Sequence, residues 1–138
     1  MSGGVEEVFD LNEIRKNTSI TTIPGDVNTF WKILLQARRK KSVICCNVDS
    51  PSSENDSELP NGLVNGHAYV ITTLVTIPHK DEEIRLLKIH NPWGTEVEWK
   101  LDWSKKSSIW NILKSDLKKH LLDLVKKKGQ FWLVRGVY

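Results

Sequence analysis

Cysteine is nearly absent from this sequence: Cys45 and Cys46 are the whole complement of its 138 residues. Neighbouring residues on a strand point to opposite faces, so the two are poor partners for one disulfide. This argues against a disulfide-stapled scaffold and for a reducing, intracellular setting. The pair also lacks the spacing of a zinc site. Long apolar runs are missing too. The longest is a few residues, against the roughly 20 that a spanning helix needs, so no membrane span is predicted. No basic segment followed by an apolar run opens the chain, so no secretory signal is read and the expected localisation is cytoplasmic. Charge of one sign is scarce as well. Lys and Arg number 20 against 17 Asp and Glu, and the net charge of +3 is too small to demand an anionic partner.

What is present suits one soluble domain spanning residues 1–138, with 39% apolar and 27% charged residues. Six tryptophans are many for this length, and four of them fall in 93–110; their default role is a core of large residues. A short strand is predicted in 2–10. A helix is predicted over 26–40, where Val27, Phe30, Leu34 and Ala37 recur at helical spacing behind a possible Asp26 cap. Residues 42–48 read as a short buried strand. Residues 49–62 are rich in turn formers without a hydrophobic pattern, and the stretch 49–65 is expected to be exposed and mobile, either a tolerated surface insertion or a lid. Two β-rich runs, 67–78 and 83–91, flank a polar turn at 79–82. The return run is apolar on both faces and therefore central. Residues 95–103 suggest a strand or irregular edge, and 104–113 a turn plus one helical turn. A helix over 115–127 carries Leu117, Leu121, Leu124 and Val125 on one side, with Ser115 as its cap. Gly129 stops it, and a last strand runs 131–138. The expected class is α+β, mainly antiparallel β, a small sandwich or barrel with flanking helices.

The hairpin carries the chemistry. Position 79 is the midpoint between 67 and 91, so antiparallel pairing brings His67 and Asn91 to the same end, within a residue or two of register. A His and an Asn distant in sequence but adjacent in space are two members of a Cys-His-Asn site. The bland alternative is a satisfied polar residue on a strand beside an ordinary Asn-Pro turn. His79, His90 and His120 lack such a context. Eight lysines in 105–128 make a basic surface, but Asp116, Asp123 and the leucine periodicity point to an ordinary solvated helix face, so no nucleic-acid partner is expected.

The sequences GLVNGHAYVIT and KIHNPWGTEVEW resemble the second half of the calpain catalytic core, the half that supplies the His and the Asn. SGGVEEVFDL and GQFWLVRGVY resemble its opening and closing strands, so the resemblance covers nearly the whole chain. It implies a papain-like cysteine endopeptidase in which His67 is the general acid/base and Asn91 orients its ring. Trp93 is expected to cover the His67–Asn91 hydrogen bond and keep water off it. Calpains carry a gating loop where 49–65 lies. The family's nucleophile sits in an upstream half, in a Gly-Asp-Cys-Trp context absent here. Cys45 and Cys46 follow a helix rather than opening one, where a thiol pKa would fall. This chain alone is expected to be inactive. Its expected partners are the Cys-bearing half and protein substrates.

The resemblance also implies one calcium ion held by carboxylates and a carbonyl on two loops. Glu98 matches one ligand position. The acidic position after Trp-Ser falls on Lys105, and the acidic pair of the second loop falls on Lys128 and Gln130. Oxygen donors, several of them anionic, are what calcium requires, so this half is expected to bind no metal, with Lys105 or Lys128 pairing with Glu98 in the ion's stead. The alternative reading is a calpain-like fold kept as a noncatalytic interaction module.

Overall fold

Alternating β-branched and apolar residues favour an extended chain on either side of Lys80 and Asp81, and the hairpin forms there. The computed structural model describes residues 27–48, 54, 57–92 and 98–134. The expected strand in 2–10, Asp26, Trp93, most of 49–56 and the end of the last strand lie outside the described residues. The chain divides into two units, Met1–Ser42 and Val43–Tyr138. The described part of the first contains α1 (Val27–Arg39), which buries Phe30, Trp31 and Leu34 at helical spacing and ends in Arg38 and Arg39, cations suited to a helix C-terminus.

The second unit holds β1 (Ile44–Asn47), β2 (Ala68–His79), β3 (Glu82–His90), a 3-10 turn (Ser108–Ile112), α2 (Ser115–Asp123) and β4 (Gln130–Val134). The strands form one four-stranded antiparallel sheet in the order β1-β2-β3-β4. With the helices this is an α+β fold. His79 pairs with Glu82, and Lys80 adopts φ +53° to close the two-residue turn. β3 pairs on both sides and buries Leu86, Leu87 and Ile89, as its two apolar faces predict.

One face of the sheet presents Ile77, Leu86 and Trp132 to a cluster completed by Trp103, Trp110, Leu121 and Val125. Trp103 and Trp110 meet edge to face at 4.9 Å. The indole N–H groups of Trp110 and Trp132 are satisfied within the core. Trp110 Nε1 donates to the Ser104 carbonyl at 2.8 Å, and Trp132 Nε1 to the Leu121 carbonyl at 2.9 Å. Trp99, Trp103 and Trp110 are thus buried, as the composition suggested.

Three local readings need correction. Among the described residues β1 is an edge strand of alternating half-buried and exposed residues, with Cys45 exposed, rather than a buried strand; four β-branched or sulfur-bearing residues in a row read as buried because a single edge looks apolar on both sides. Ser115 opens α2 instead of capping it; the cap is Lys114, whose side chain makes no capping bond. And α2 ends at Asp123, well short of 127. The Leu121 carbonyl, which a continuing helix would give to the Val125 N–H, is taken by Trp132, while Val125 N–H turns to Leu122 at 3.2 Å.

Within 49–65, residues 57–65 form a pinned turn. Glu58 bridges Val64, Leu59 N–H donates to Leu63 at 2.7 Å, and Leu59, Leu63, Val64 and Asn65 are buried. The turn-former count of this stretch hid the apolar residues that anchor its end.

Candidate functional site

The register at the turn end of the hairpin and at its open end are different. From Thr73↔Lys88 to His79↔Glu82 the pairs run in one register; Ile71↔Ile89 and Val70↔His90 follow another, offset by one residue at Thr72. Thr72 is therefore a bulge residue. Continuing the open-end register by one pair sets Asn91 opposite Tyr69. His67 lies two residues before Tyr69, on the same face of the sheet, because side chains alternate with a period of two. The ring of His67 lies 5.9 Å from that of Tyr69, in keeping with this placement.

The two predicted site residues are thus diagonal neighbours. Asn91 has no exposed surface, and its backbone N–H donates to the Gly129 carbonyl at 2.7 Å. Its main chain is held by the residue just before β4, which limits where its side-chain amide can point. His67 is half-buried, its N–H donating to the Val64 carbonyl at 3.2 Å. The backbone at both ends of the pair is fixed by hydrogen bonds to segments outside the hairpin.

Tyr69 had no role in the sequence reading, although it stands in the Gly66-His67-Ala68-Tyr69 motif. It is buried, meets Phe131 edge to face at 6.1 Å, and its hydroxyl accepts the Val64 N–H at 2.9 Å. Burial pushes its phenol above the ordinary value, against the opposing effect of the Val64 hydrogen bond. It stays neutral, a rigid wall beside His67 that also ties 57–65 to the sheet. Cys46 stands opposite Tyr69 on β1. Burial, and secondarily the adjacent Cys45, pushes its thiol up to about 11. Such a thiol is protonated at neutral pH, the reverse of what a nucleophile needs.

A second set of contacts joins two loops behind Asn91. Lys105 Nζ donates to Glu98 Oε1 at 2.9 Å, and the same oxygen accepts the Gly129 N–H at 3.1 Å. Lys105 Nζ also reaches the Lys127 carbonyl at 3.4 Å. Lys105 makes the pairing with Glu98 that the sequence left open between two lysines. Gln130, the other altered position, opens β4 opposite His90. Of the remaining lysines in the basic stretch, Lys118 donates to Asn111 at 2.7 Å and Lys126 lies 3.2 Å from Asp123. Among the described residues no helix is long and apolar enough to cross a membrane.

Comparison with known proteins matches residues 1–135 to the calpain family cysteine protease. Calpain-14 of Homo sapiens is 38% identical over 134 residues, Calpain-9 of Rattus norvegicus 34% over 133 and Calpain-A of Drosophila melanogaster 32% over 136. Each match takes in 96% of this chain but only 15–17% of the relative. The chain spans about one sixth of the length of the curated relatives it matches.

Proposed function

The chain belongs to the calpain family of cysteine proteases, and from that premise we propose that it supplies the histidine and asparagine of a Cys-His-Asn site in an endopeptidase. The shared face of His67 and Asn91, two residues out of register at the open end of the hairpin, carries this reading. A thiolate from another half attacks the peptide carbonyl. The His67 imidazolium stabilises that thiolate and then protonates the leaving amine. The Asn91 side-chain carbonyl accepts the second ring N–H and holds the ring in place without adding charge. By the match of Asn91-Pro92-Trp93-Gly94 to the family motif, Trp93 takes the role of shielding that hydrogen bond from water. The nucleophile comes from a Cys-bearing half, because the Cys46 thiol holds its proton and neither cysteine opens a helix. Extended segments of other proteins are the substrates.

This half works without a calcium ion of its own. A dication beside Glu98 would meet the Lys105 ammonium, 2.9 Å from the one carboxylate retained there. The residues do not fit the ion, and no step of the chemistry runs through it.

The test uses the native protein, captured from its source with an antibody to this domain, sized by mass and treated with a cysteine-directed epoxide. A longer chain that takes the label, and loses it in His67→Ala, is the expected result. An unlabelled chain sinks the protease reading in favour of a noncatalytic interaction module.

A further inference from the structure

We propose that Lys105 is a positioning residue for Asn91, acting through Glu98 and Gly129. The inference rests on the reading of Asn91 as the residue that orients His67.

The contacts form a continuous line. The Lys105 ammonium holds Glu98 Oε1 at 2.9 Å, Glu98 Oε1 accepts the Gly129 N–H at 3.1 Å, and the Gly129 carbonyl accepts the Asn91 N–H at 2.7 Å. Gly129 is the hub. Its two peptide groups point opposite ways, one to the carboxylate and one to the site. It reaches that geometry at φ +82°, a left-handed backbone that favours glycine. A further Lys105 contact, 3.4 Å to the Lys127 carbonyl, ties the ammonium to the loop just before the hub. The cation therefore clamps residues 98 and 127–129 together directly behind Asn91.

Two other lysine–carboxylate pairs among the described residues do not share this arrangement. Lys100 with Glu58 and Lys126 with Asp123 are more exposed, and exposed pairs contribute little. The Lys105–Glu98 pair is about a quarter exposed, with side-chain values of 31% and 22%. Its oxygen carries a second, backbone donor, and a charged acceptor makes the stronger hydrogen bond. What Lys105 supplies is placement. Without the ammonium, Glu98 swings toward water, Gly129 loses its anchor, and the peptide that fixes Asn91 gains freedom. A displacement of about 1 Å at an orienting residue is enough to cost a large factor in turnover.

The experiment uses the full-length protein. Lys105→Met keeps the aliphatic stem and removes the charge; Lys105→Arg restores a cation; Glu98→Gln leaves an oxygen for Gly129 but nothing anionic for Lys105; Lys126→Met is the control. Two readouts are taken: amide hydrogen exchange at Asn91, and kcat and KM on a peptide substrate across pH. Lys105→Met and Glu98→Gln are expected to raise exchange at Asn91 and lower kcat, each by about tenfold, with KM unchanged. The pH profile should shift as the ring loses its fixed partner, and Lys105→Arg should recover both readouts. Two variants guard against one that fails to fold. Unchanged exchange at Asn91 in folded Lys105→Met overturns the proposal. Faster exchange with unaltered kcat overturns it too, and Asn91→Ala then separates the causes. If Asn91→Ala keeps its activity, the triad reading has failed; if it loses activity, only the role of Lys105 has.

Discussion

His67 and Asn91 share a face of the sheet because β2 carries one extra residue between its two ends, Thr72. In the register set by the turn, where His79 faces Glu82, Asn91 would stand opposite Val70 and point away from His67. The bulge moves it opposite Tyr69. A one-residue slip in a strand sends every side chain beyond it to the other face, and here the slip joins the two candidate site residues.

Deleting Thr72 is therefore expected to cost more than any substitution at that position. It would turn the buried Tyr69 and Ile71 away from the side they now occupy, a loss on the order of 4 kcal/mol or more. Thr72→Val keeps the residue count and loses only a long 3.4 Å hydrogen bond to the Lys88 carbonyl, a change of about 0.5–1 kcal/mol. Urea midpoints of the two variants check this. Equal midpoints would show that the bulge does not set the register.

The hairpin was legible because its turn residues and its apolar alternation agree, and because a midpoint needs no knowledge of the bulge to be right within a residue or two. The parity that decides which side chains meet was not legible, since nothing in Ile71-Thr72-Thr73 distinguishes a bulge from a regular strand. The burial of Leu59, Leu63 and Val64 was not legible for a related reason, because their serine- and asparagine-rich surroundings mask them. The end of α2 depended on the Trp132 indole, which no local propensity encodes. Lys105 and Glu98 were legible only as a changed charge pattern. The structure adds Gly129, whose glycine was read as a helix stop and whose peptide groups link that pair to Asn91.

Cys46 gives a pH prediction. Its folded thiol is raised to about 11, against an ordinary value of 9.0. Below pH 9 both folded and unfolded chains keep the proton and the full stability is present. Between about pH 9 and 11 the unfolded chain ionises first, so stability falls as pH rises. Cys46→Val should flatten this part of the urea-midpoint profile. At pH 7.5 the Cys46 thiolate is about 100-fold scarcer than that of an ordinary thiol, so iodoacetamide should label Cys46 far more slowly than an unfolded control peptide. Comparable labelling rates in the folded chain would contradict the half-buried, protonated thiol.

Trp132 closes α2 as well as filling the core. Trp132→Phe retains most of the apolar volume and leaves the Leu121 carbonyl without its indole donor, so a loss of about 1–3 kcal/mol is expected. A local consequence separates this from simple cavity formation. With the Leu121 carbonyl released, the Val125 N–H can return to it, and the last turn of α2 should lengthen. Amide exchange at Val125, now bonded to Leu122, should then slow relative to its neighbours. Uniform acceleration along the helix would mean that the indole contributes volume alone.

Gly62 is the position where one methyl group should reach the site from a distance. Its φ is +93°, and a Cβ added there would fall 2.0 Å from the Glu98 backbone oxygen. Neither the conformation nor the space allows a side chain, and the obstructing atom is main chain, which cannot rotate away. Gly62→Ala must displace either the 59–63 turn or the backbone at Glu98. The turn is held by Leu59 and Leu63 in the core and by the Lys100 N–H donating to Asn61 at 2.9 Å, so the strain falls on both. A destabilisation of roughly 2–4 kcal/mol is expected from the clash and the positive φ together. Moving Glu98 also moves the carboxylate that holds Lys105 and the Gly129 N–H. Gly62→Ala should therefore loosen amide exchange at Gly129 and Asn91 along with its effect on melting, whereas a core variant such as Trp110→Phe should lower melting while leaving those two amides comparatively protected. Melting that drops with no local change at Gly129 would show that the 59–63 turn yields and Glu98 stays.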